Sequence, residues 1–314
     1  MLTIVVRRSV SAMHIPDGFL TPPVWLTLGA IAAPAVALVA RKVTAEPDSD
    51  LSRGASRIPL LGVMGAFVFA AQMINFPVAF GTSAHLLGGA LLAATLGPAA
   101  AALVMTSVLI LQALMFQDGG VLALGANIFN MALAGVLAGY LPVWLLGRRA
   151  ITVFLGGALS VLTTGVLALW ELSLSGIMIT GRPLYLTLSL FLVAALVEGA
   201  ITVAALRAIA RLSPDVLHEP SPLSFRTRFA IAALAVTLVT GGFLMASAAP
   251  DGLQQLAGQL GLHENPAWEH APFPGYEMSG LGPDWLGKPA AGMVGLVCAF
   301  AICTIGGKKR QQGV

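Results

Sequence analysis

The chain has 314 residues, of which 57% are hydrophobic and only 10% are charged. Soluble domains average about 25% charged residues, so this composition excludes an ordinary soluble protein and indicates a multi-pass protein of the lipid bilayer. The net charge of +3 comes from short basic clusters between apolar runs. That pattern sets orientation in a membrane and does not form a nucleic-acid-binding surface.

Nine apolar runs follow one another along the chain, and a helix needs about 20 apolar residues to cross the hydrocarbon core. The sequence therefore predicts an all-α, polytopic helical bundle with about nine membrane segments. The third run is too short to cross alone, and Gly97-Pro98 separates it from the fourth. Broken helices of this kind are tolerated where they line a cavity. The predicted segments are Pro23–Ala40, Pro59–Ile74, Leu86–Leu96, Ala99–Met115, Gly125–Leu146, Val153–Trp170, Pro183–Ala208, Phe229–Ala248 and Ala290–Ile305.

Basic residues are distributed unevenly among the connecting segments. If the chain before Pro23 lies outside, the inside segments hold basic pairs such as Arg41-Lys42 and Arg148-Arg149, while the outside segments after the first span hold only Arg182 and Lys288. Because basic residues accumulate in cytoplasmic loops, the N-terminus is predicted to lie outside and the C-terminus inside.

Residues 212–227 form a polar stretch that contains Pro214, Pro220 and Pro222, and this composition is typical of a linker. We predict that it joins a larger membrane domain, residues 13–211, to a two-span domain, residues 228–314. The two spans of the second domain flank a long outer tract, Ala249–Pro289.

The first motif is Met13-His14-Ile15-Pro16-Asp17-Gly18-Phe19. In a chain that begins at Met13, the free amine, the backbone nitrogen of His14 and the His14 imidazole can all reach one metal ion. Such successive nitrogens close small chelate rings and impose a square-planar field, which suits Ni(II) or Cu(II). Mg²⁺ and Ca²⁺ require oxygen ligands instead.

The second motif runs from Asn75 to His85, on the same side of the membrane as His14. His85 can supply the fourth nitrogen of a square plane. The alternative for each histidine alone is an ordinary hydrogen-bonded residue of an interfacial loop. Side chains that could orient the His85 imidazole as hydrogen-bonding neighbours are Asn75, Thr82, Ser83 and Gln72.

These two motifs resemble the signatures of the cobalt/nickel transport protein M family (CbiM/NikM type). The first is Met13 to Leu20, and the second is Phe76-Pro77 followed by Gly81-Thr82-Ser83-Ala84-His85-Leu86-Leu87-Gly88-Gly89. The resemblance extends to about Arg211. The tract Pro250-Asp251-Gly252-Leu253-Gln254 resembles the small N-type subunit (CbiN/NikN type), whose motif usually has Glu where this chain has Gln254. The chain thus resembles a fusion of the two subunits.

The resemblance implies the substrate-binding component of an energy-coupling-factor importer in the bacterial inner membrane. It implies partners, namely a transmembrane coupling subunit and two ATPase subunits, and no resident cofactor. The transported ligand is Ni(II) or Co(II), and the motif favours nickel. The implied metal ligands are Met13, His14 and His85. A chain extended before Met13 has no amine there, so residues 1–12 are expected to be a non-native or removed leader, with translation starting at Met13 as the other explanation.

Glu198 lies in the middle of a predicted span, and an intramembrane carboxylate is a candidate functional residue. Both a structural hydrogen bond and a role in coupling are open for it. The chain has no Gly-x-x-x-x-Gly-Lys-Ser/Thr sequence, so ATP hydrolysis is expected on separate partner subunits, and the chain is predicted to be a transporter subunit and not an enzyme. The alternative function is a self-sufficient metal channel or secondary transporter. A membrane metalloprotease is disfavoured because His-Glu-x-x-His is absent.

Overall fold

A computed structural model describes residues 14–45, 58–78, 81–212, 224–242, 247, 249–268, 270–278, 280 and 284–308. Within these residues the protein is a helical bundle with one small hairpin. The helices are α1 (Pro22–Ala45), α2 (Ile58–Gln72), α3 (Gly89–Leu96), α4 (Pro98–Leu111), α5 (Leu124–Asn127), α6 (Val136–Leu146), α7 (Ala150–Leu174), α8 (Arg182–Leu212), α9 (Phe225–Gly241), α10 (Gly252–Leu260) and α11 (Asp284–Lys308), and the strands are β1 (Phe76–Pro77) and β2 (Ser83–Ala84).

Six helical stretches in the described part of the chain are long and apolar enough to cross a membrane, and α2 is a shorter apolar helix. Large apolar side chains cover the outside of the bundle, such as Leu38 on α1, Trp144 on α6 and Trp170 on α7. Such a surface is unfavourable in water but matches lipid acyl chains. The predicted helical membrane bundle is thereby confirmed.

The predicted break between the third and fourth segments is confirmed at Gly97-Pro98. The short helix α3 ends at Leu96, Gly97 adopts φ 83° and ψ 158°, and Pro98 opens α4. Proline is favoured at the first position of a helix, where its missing N–H costs nothing. Every residue of α3 is buried, so this short helix lies inside the bundle.

Helices α7 and α8 pack closely through glycine. A Cβ atom added to Gly157 would lie 2.8 Å from the Cα atom of Gly199, a distance that no larger residue tolerates. Small residues let helix backbones approach each other in membranes, where packing replaces the hydrophobic effect between helices. This contact fixes α8 beside α7 at the height of Glu198.

Two π-helical segments flank the loop between α4 and α5. Helix α4 continues as a π turn, Gln112–Phe116, and α5 continues as the π segment Ile128–Gly135 before α6 begins. The loop between them starts with Gln117 in the left-handed region at φ 57°. Because π turns rotate the side chains that follow them and often mark functional sites, this loop is a candidate part of the functional site.

The C-terminal part packs against the larger unit. Helices α9 and α11 lie against α2, and a Cβ atom on Gly62 of α2 would overlap Phe300 of α11. Two backbone hydrogen bonds join the segment before α10 to the hairpin and to the residue before it. The Ser83 N–H donates to Pro250 O at 2.9 Å, and the Ser247 N–H donates to Asn75 O at 2.7 Å.

Helix α10 starts with a capping box. The Gln254 N–H donates to the Asp251 side chain, and the Asp251 N–H donates to Gln254 Oε1 at 3.1 Å. Both Glu and Gln can close such a box. The departure from Glu at position 254 therefore keeps the cap.

Candidate metal-binding site

The N-terminal segment is fixed by backbone hydrogen bonds at the end of the bundle where α1 begins. The Ile15 N–H donates to Asn127 Oδ1 at 2.8 Å, and Asn127 Nδ2 donates back to Ile15 O at 3.0 Å. The Gly120 N–H also donates to Ile15 O, at 3.0 Å. Ile15 itself is fully buried, so the residue after His14 has a single defined position.

Asp17 connects this segment to two other parts of the chain. Its buried carboxylate accepts hydrogen bonds from the N–H groups of Val121, Leu122, Ala123 and Ala267 at 2.8–3.2 Å. Asp17 therefore holds the first motif against both the loop before α5 and the outer tract.

His14 is buried beside a carboxylate. Its Nδ1 atom lies 3.1 Å from Asp118 Oδ1, and the Tyr276 hydroxyl donates a short hydrogen bond to Asp118 Oδ2. Burial by itself would raise the pKa of Asp118, but His14, the Tyr276 hydroxyl and the charge of His85 together bring it below the ordinary value of 3.8. Burial and the Asp118 charge raise the pKa of Tyr276 well above its usual range. Asp118 is thus ionised and Tyr276 neutral at physiological pH.

His85 follows the hairpin of β1 and β2 directly and comes face to face with His14. The two imidazole centroids are 5.8 Å apart, the ring planes are within 5° of parallel, and both side chains are 2% exposed. Two histidines that lie 71 positions apart in the sequence are therefore brought together in a buried position.

The loop after His85 is held from both sides by buried polar side chains. Gln72 Nε2 donates to Leu87 O at 2.8 Å, and Gln112 Nε2 of the π turn donates to Gln72 Oε1 at 3.0 Å. On the opposite side, the Glu198 carboxylate of α8 accepts the N–H groups of Leu87 and Gly88, each at 2.8 Å. Gln72 thus bonds to the backbone of Leu87, which lies two residues after His85.

The three remaining predicted neighbours of His85 lie in or before the hairpin and are buried. The Ser83 hydroxyl donates to Ala249 O at 2.7 Å, Asn75 O accepts the Ser247 N–H, and Thr82 O accepts the Val78 N–H. These bonds stabilise the hairpin and join it to the outer tract. Their effect on the His85 imidazole stays a prediction.

Met13 lies outside the described residues, as do residues 1–12. Within the described ranges, no group of three or more His, Cys, Asp or Glu side chains is arranged to hold a metal ion. Among the described residues, the site brings together the imidazoles of His14 and His85. The ligand set expected from the first motif stays a prediction.

Sequence reasoning missed Asp118, Asn127 and Tyr276 as parts of this site. Asp118 is an acidic residue in the short loop between two apolar segments, and Asn127 is a polar residue inside the next one. Polar residues at such positions are a usable signal, because they require a partner in the membrane. Tyr276 gave no such signal, since it belongs to a long polar tract.

Comparison with known families gives two matches that together cover most of the chain. Residues 14–216 match the family described as "Cobalt uptake substrate-specific transmembrane region" (CbiM), and residues 227–311 match the PDGLE domain. The first match covers more than half of the chain and includes both histidine motifs.

Similar proteins have the same two-part organisation. The putative fused nickel transport protein NikMN of Archaeoglobus fulgidus is 35% identical over 300 residues, which cover 92% of this chain and 96% of that protein. The probable fused nickel transport protein LarMN of Lactiplantibacillus plantarum is 33% identical, over 86% of this chain and 90% of that protein.

A crystal structure of a transition metal transporter is 32% identical with a TM-score of 0.52, over 63% of this chain and 92% of that one. Transport proteins, and not enzymes, are the relatives that share this sequence and fold. The protein is therefore a multi-pass membrane transport protein that belongs to the nickel and cobalt transport family defined by the CbiM region.

Proposed function

We propose that this protein is the substrate-binding component of an ATP-driven energy-coupling-factor importer for Ni(II), with Co(II) as the second candidate ion. The observation that carries the proposal is the pair of buried, parallel imidazoles of His14 and His85, 5.8 Å between centroids. The names of the relatives, which are nickel transport proteins, favour nickel.

In the proposed site, Met13 supplies its amine, His14 its backbone nitrogen and imidazole, and His85 the fourth nitrogen. A nitrogen-only, planar ligand set matches the preference of Ni(II). The rigid attachment of Ile15 to Asn127 supports this arrangement, because it limits where the residue before it can lie. A free amine at Met13 requires that residues 1–12 are absent from the functional protein.

The proposed topology has nine membrane segments, with the histidine site at the outer end. Arg148 and Arg149 lie between α6 and α7, at the end of the bundle opposite to His14, and Arg207 and Arg211 lie in the last turns of α8. The accumulation of basic residues at that end supports a cytoplasmic location for it. We further propose a domain boundary within the linker 212–227.

The proposed partners are a transmembrane coupling subunit and two ATPase subunits. The chain carries no nucleotide-binding motif of the P-loop type, so the energy for release of a tightly bound ion must come from outside the chain. Among the buried carboxylates inside the described spans, Glu198 is fully engaged with backbone N–H groups, which disfavours it as a proton relay of a secondary transporter.

The test is metal analysis of purified protein by mass spectrometry after exposure to equal nickel and cobalt. The chain is produced in two forms that start at Met1 and at Met13, and the N-terminus of each is sequenced. We expect one equivalent of nickel in the Met13 form and none in His14→Ala or His85→Ala. His270→Ala, which alters an exposed histidine of the outer tract, is the matched control and should retain the metal.

Uptake of radioactive nickel into cells then separates the two transporter classes. Uptake that requires the ATPase subunits supports the importer, and uptake without them supports the self-sufficient channel or secondary transporter. Metal retained in both His14→Ala and His85→Ala would contradict the proposed site.

A further inference from the structure

One peptide group separates the imidazole of His85 from the carboxylate of Glu198. The Nδ1 atom of His85 lies 2.8 Å from the carbonyl oxygen of Leu86, and the N–H of the same peptide unit, contributed by Leu87, donates to Glu198 Oε2 at 2.8 Å. The second oxygen, Oε1, accepts the next N–H, that of Gly88, also at 2.8 Å. The carboxylate is 1% exposed.

This arrangement determines the form of the imidazole. A backbone carbonyl oxygen only accepts hydrogen bonds, so the Nδ1 atom that contacts it must carry the hydrogen. The lone pair of a neutral His85 is then on Nε2. A metal-ligating histidine commonly donates its other ring N–H to a carbonyl or carboxylate, which fixes both the tautomer and the ring orientation.

The Glu198 carboxylate acts on this contact through the peptide. An anion at the N–H end of a peptide group pushes electron density toward its carbonyl oxygen, and hydrogen bonds in series strengthen one another in a low-dielectric interior. The carbonyl of Leu86 therefore becomes a better acceptor for the His85 Nδ1–H. The same carboxylate also satisfies an N–H at the start of α3, whose N-cap residue, Gly88, makes no side-chain cap hydrogen bond.

The position of Glu198 is itself fixed by its neighbours. The adjacent residue, Gly199, packs against Gly157 of α7, where a Cβ atom would lie 2.8 Å from the Gly199 Cα atom. Gly88 is held in the left-handed region at φ 78°, and a Cβ atom there would lie 2.9 Å from Val68. The carboxylate and the loop it contacts thus have little room to separate.

We infer that Glu198 is a positioning residue for the metal ligand His85, and that it acts through the Leu86–Leu87 peptide to hold Nε2 toward the ion. This inference rests on the proposed function, because it takes His85 as a nickel ligand. A carboxylate in the middle of α8 thus affects the metal affinity of the site without contacting the ion.

The test compares nickel titrations of the Glu198→Gln variant and of the protein without this substitution. Both proteins start at Met13. The glutamine keeps the volume but offers one acceptor and one NH₂ group to two backbone N–H donors. Loss of such an outer contact typically weakens metal binding by about 10- to 100-fold, and we expect this loss together with a shift of the visible absorption band of bound Ni(II).

Glu171→Gln is the matched control. Glu171 is another fully buried carboxylate, and the hydrogen bond described for it comes from Asn130 Nδ2 at 2.8 Å. The Glu171→Gln variant should bind nickel with the same affinity and the same absorption band as the unmodified chain. Glu198→Gln with unchanged affinity and band would overturn the inference, as would an equal loss in Glu171→Gln, which would indicate a general effect of buried carboxylates.

A second measurement does not depend on whether a variant at Glu198 folds. Nitrogen-15 NMR of histidine-labelled, metal-free protein reports the tautomer of His85, with His85→Ala to assign its signals. We expect protonated Nδ1 and unprotonated Nε2, and a His85 found with its hydrogen on Nε2 would overturn the positioning contact. If the unmodified chain bound no nickel, the proposed function would fail, while the tautomer would still report whether His85 Nδ1 donates to the Leu86 carbonyl.

Discussion

The Nδ1 atom of His14 lies 3.1 Å from Oδ1 of Asp118, and both side chains are almost completely buried. A carboxylate held this close to His14, the proposed ligand, contributes negative charge beside the proposed position of the divalent cation. Electrostatic attraction between such groups is strong where water is excluded.

Replacement of Asp118 by Asn should therefore weaken nickel binding by roughly 10- to 100-fold, the usual range for residues that contact a metal ligand. Isothermal titration of the Met13 form with nickel measures the change. Tyr276→Phe is the companion variant, because it removes the hydroxyl but keeps the carboxylate, and it should cost less affinity. Tighter binding by Asp118→Asn would contradict this expectation and would mean that Asp118 competes with the ion for His14.

Nickel binding should weaken as the pH falls, because the proposed nitrogen ligands must give up their protons to bind the ion. Asp118 cannot cause this loss. Burial opposes its ionisation, but His14 and Tyr276 bring its pKa below 3.8. A carboxyl whose pKa is lowered on folding keeps its full contribution above the ordinary value and loses it only as the pH falls through the lower, folded value.

The proton count distinguishes nitrogen from oxygen ligands. Titrations at one pH in buffers of different ionisation enthalpy give the number of protons released per nickel ion bound. We expect more than one, because the backbone nitrogen and the amine must both lose a proton to bind the ion. Binding without proton release would contradict the nitrogen chelate.

Asp17→Ala should loosen the loop before α5. The carboxylate accepts four backbone N–H groups, of which that of the buried Ala123 cannot find water as a substitute. Leaving such a donor unsatisfied costs about 1–3 kcal/mol in the free energy of unfolding. Hydrogen exchange followed by mass spectrometry should show faster exchange in peptides that cover residues 117–127. Glu277→Gln, at an exposed position, should leave the exchange of these peptides unchanged.

Gly120→Ala should disrupt the site by direct overlap. A Cβ atom at Gly120 would lie only 2.1 Å from Asp17 Oδ1 and 2.4 Å from the Asp17 backbone nitrogen, and overpacking of this kind typically costs about 1–3 kcal/mol. Gly258→Ala in α10 is the matched control. Outside its own helical turn, no atom of the described residues lies within 4 Å of its added Cβ, and Ala is favoured over Gly in a helix interior by roughly 0.5–1 kcal/mol. Thermal unfolding in detergent should show a lower Tm for the first variant and an equal or higher one for the second.

Local chemistry made part of this fold predictable. The break at Gly97-Pro98 follows from the properties of two adjacent residues, and the helical segments follow from apolar runs of sufficient length. The two histidine motifs could be recognised, and their convergence could be expected from their common side of the membrane. The capping box of α10 is also present in the sequence as Asp251 and Gln254.

The remaining features depend on distant contacts. Glu198 bonds to residues about 110 positions away, and Asp118 meets a tyrosine 158 positions later in the chain. No spacing rule links such residues, because their approach is decided by helix packing, for example at Gly157 and Gly199.

The hydrogen bonds from Ser83 to Ala249 and Pro250 join the histidine loop to a tract that lies beyond the proposed linker, residues 212–227, of the same polypeptide. In a protein built from two separate chains, this junction would depend on the cellular concentration of both. Here both parts belong to one polypeptide, so every copy carries its own tract. A short connection gives that tract an effective concentration on the order of millimolar at the hairpin. Cutting the linker should therefore make the junction sensitive to dilution. In the intact chain, a separately supplied tract would have to compete with the attached one for the same position.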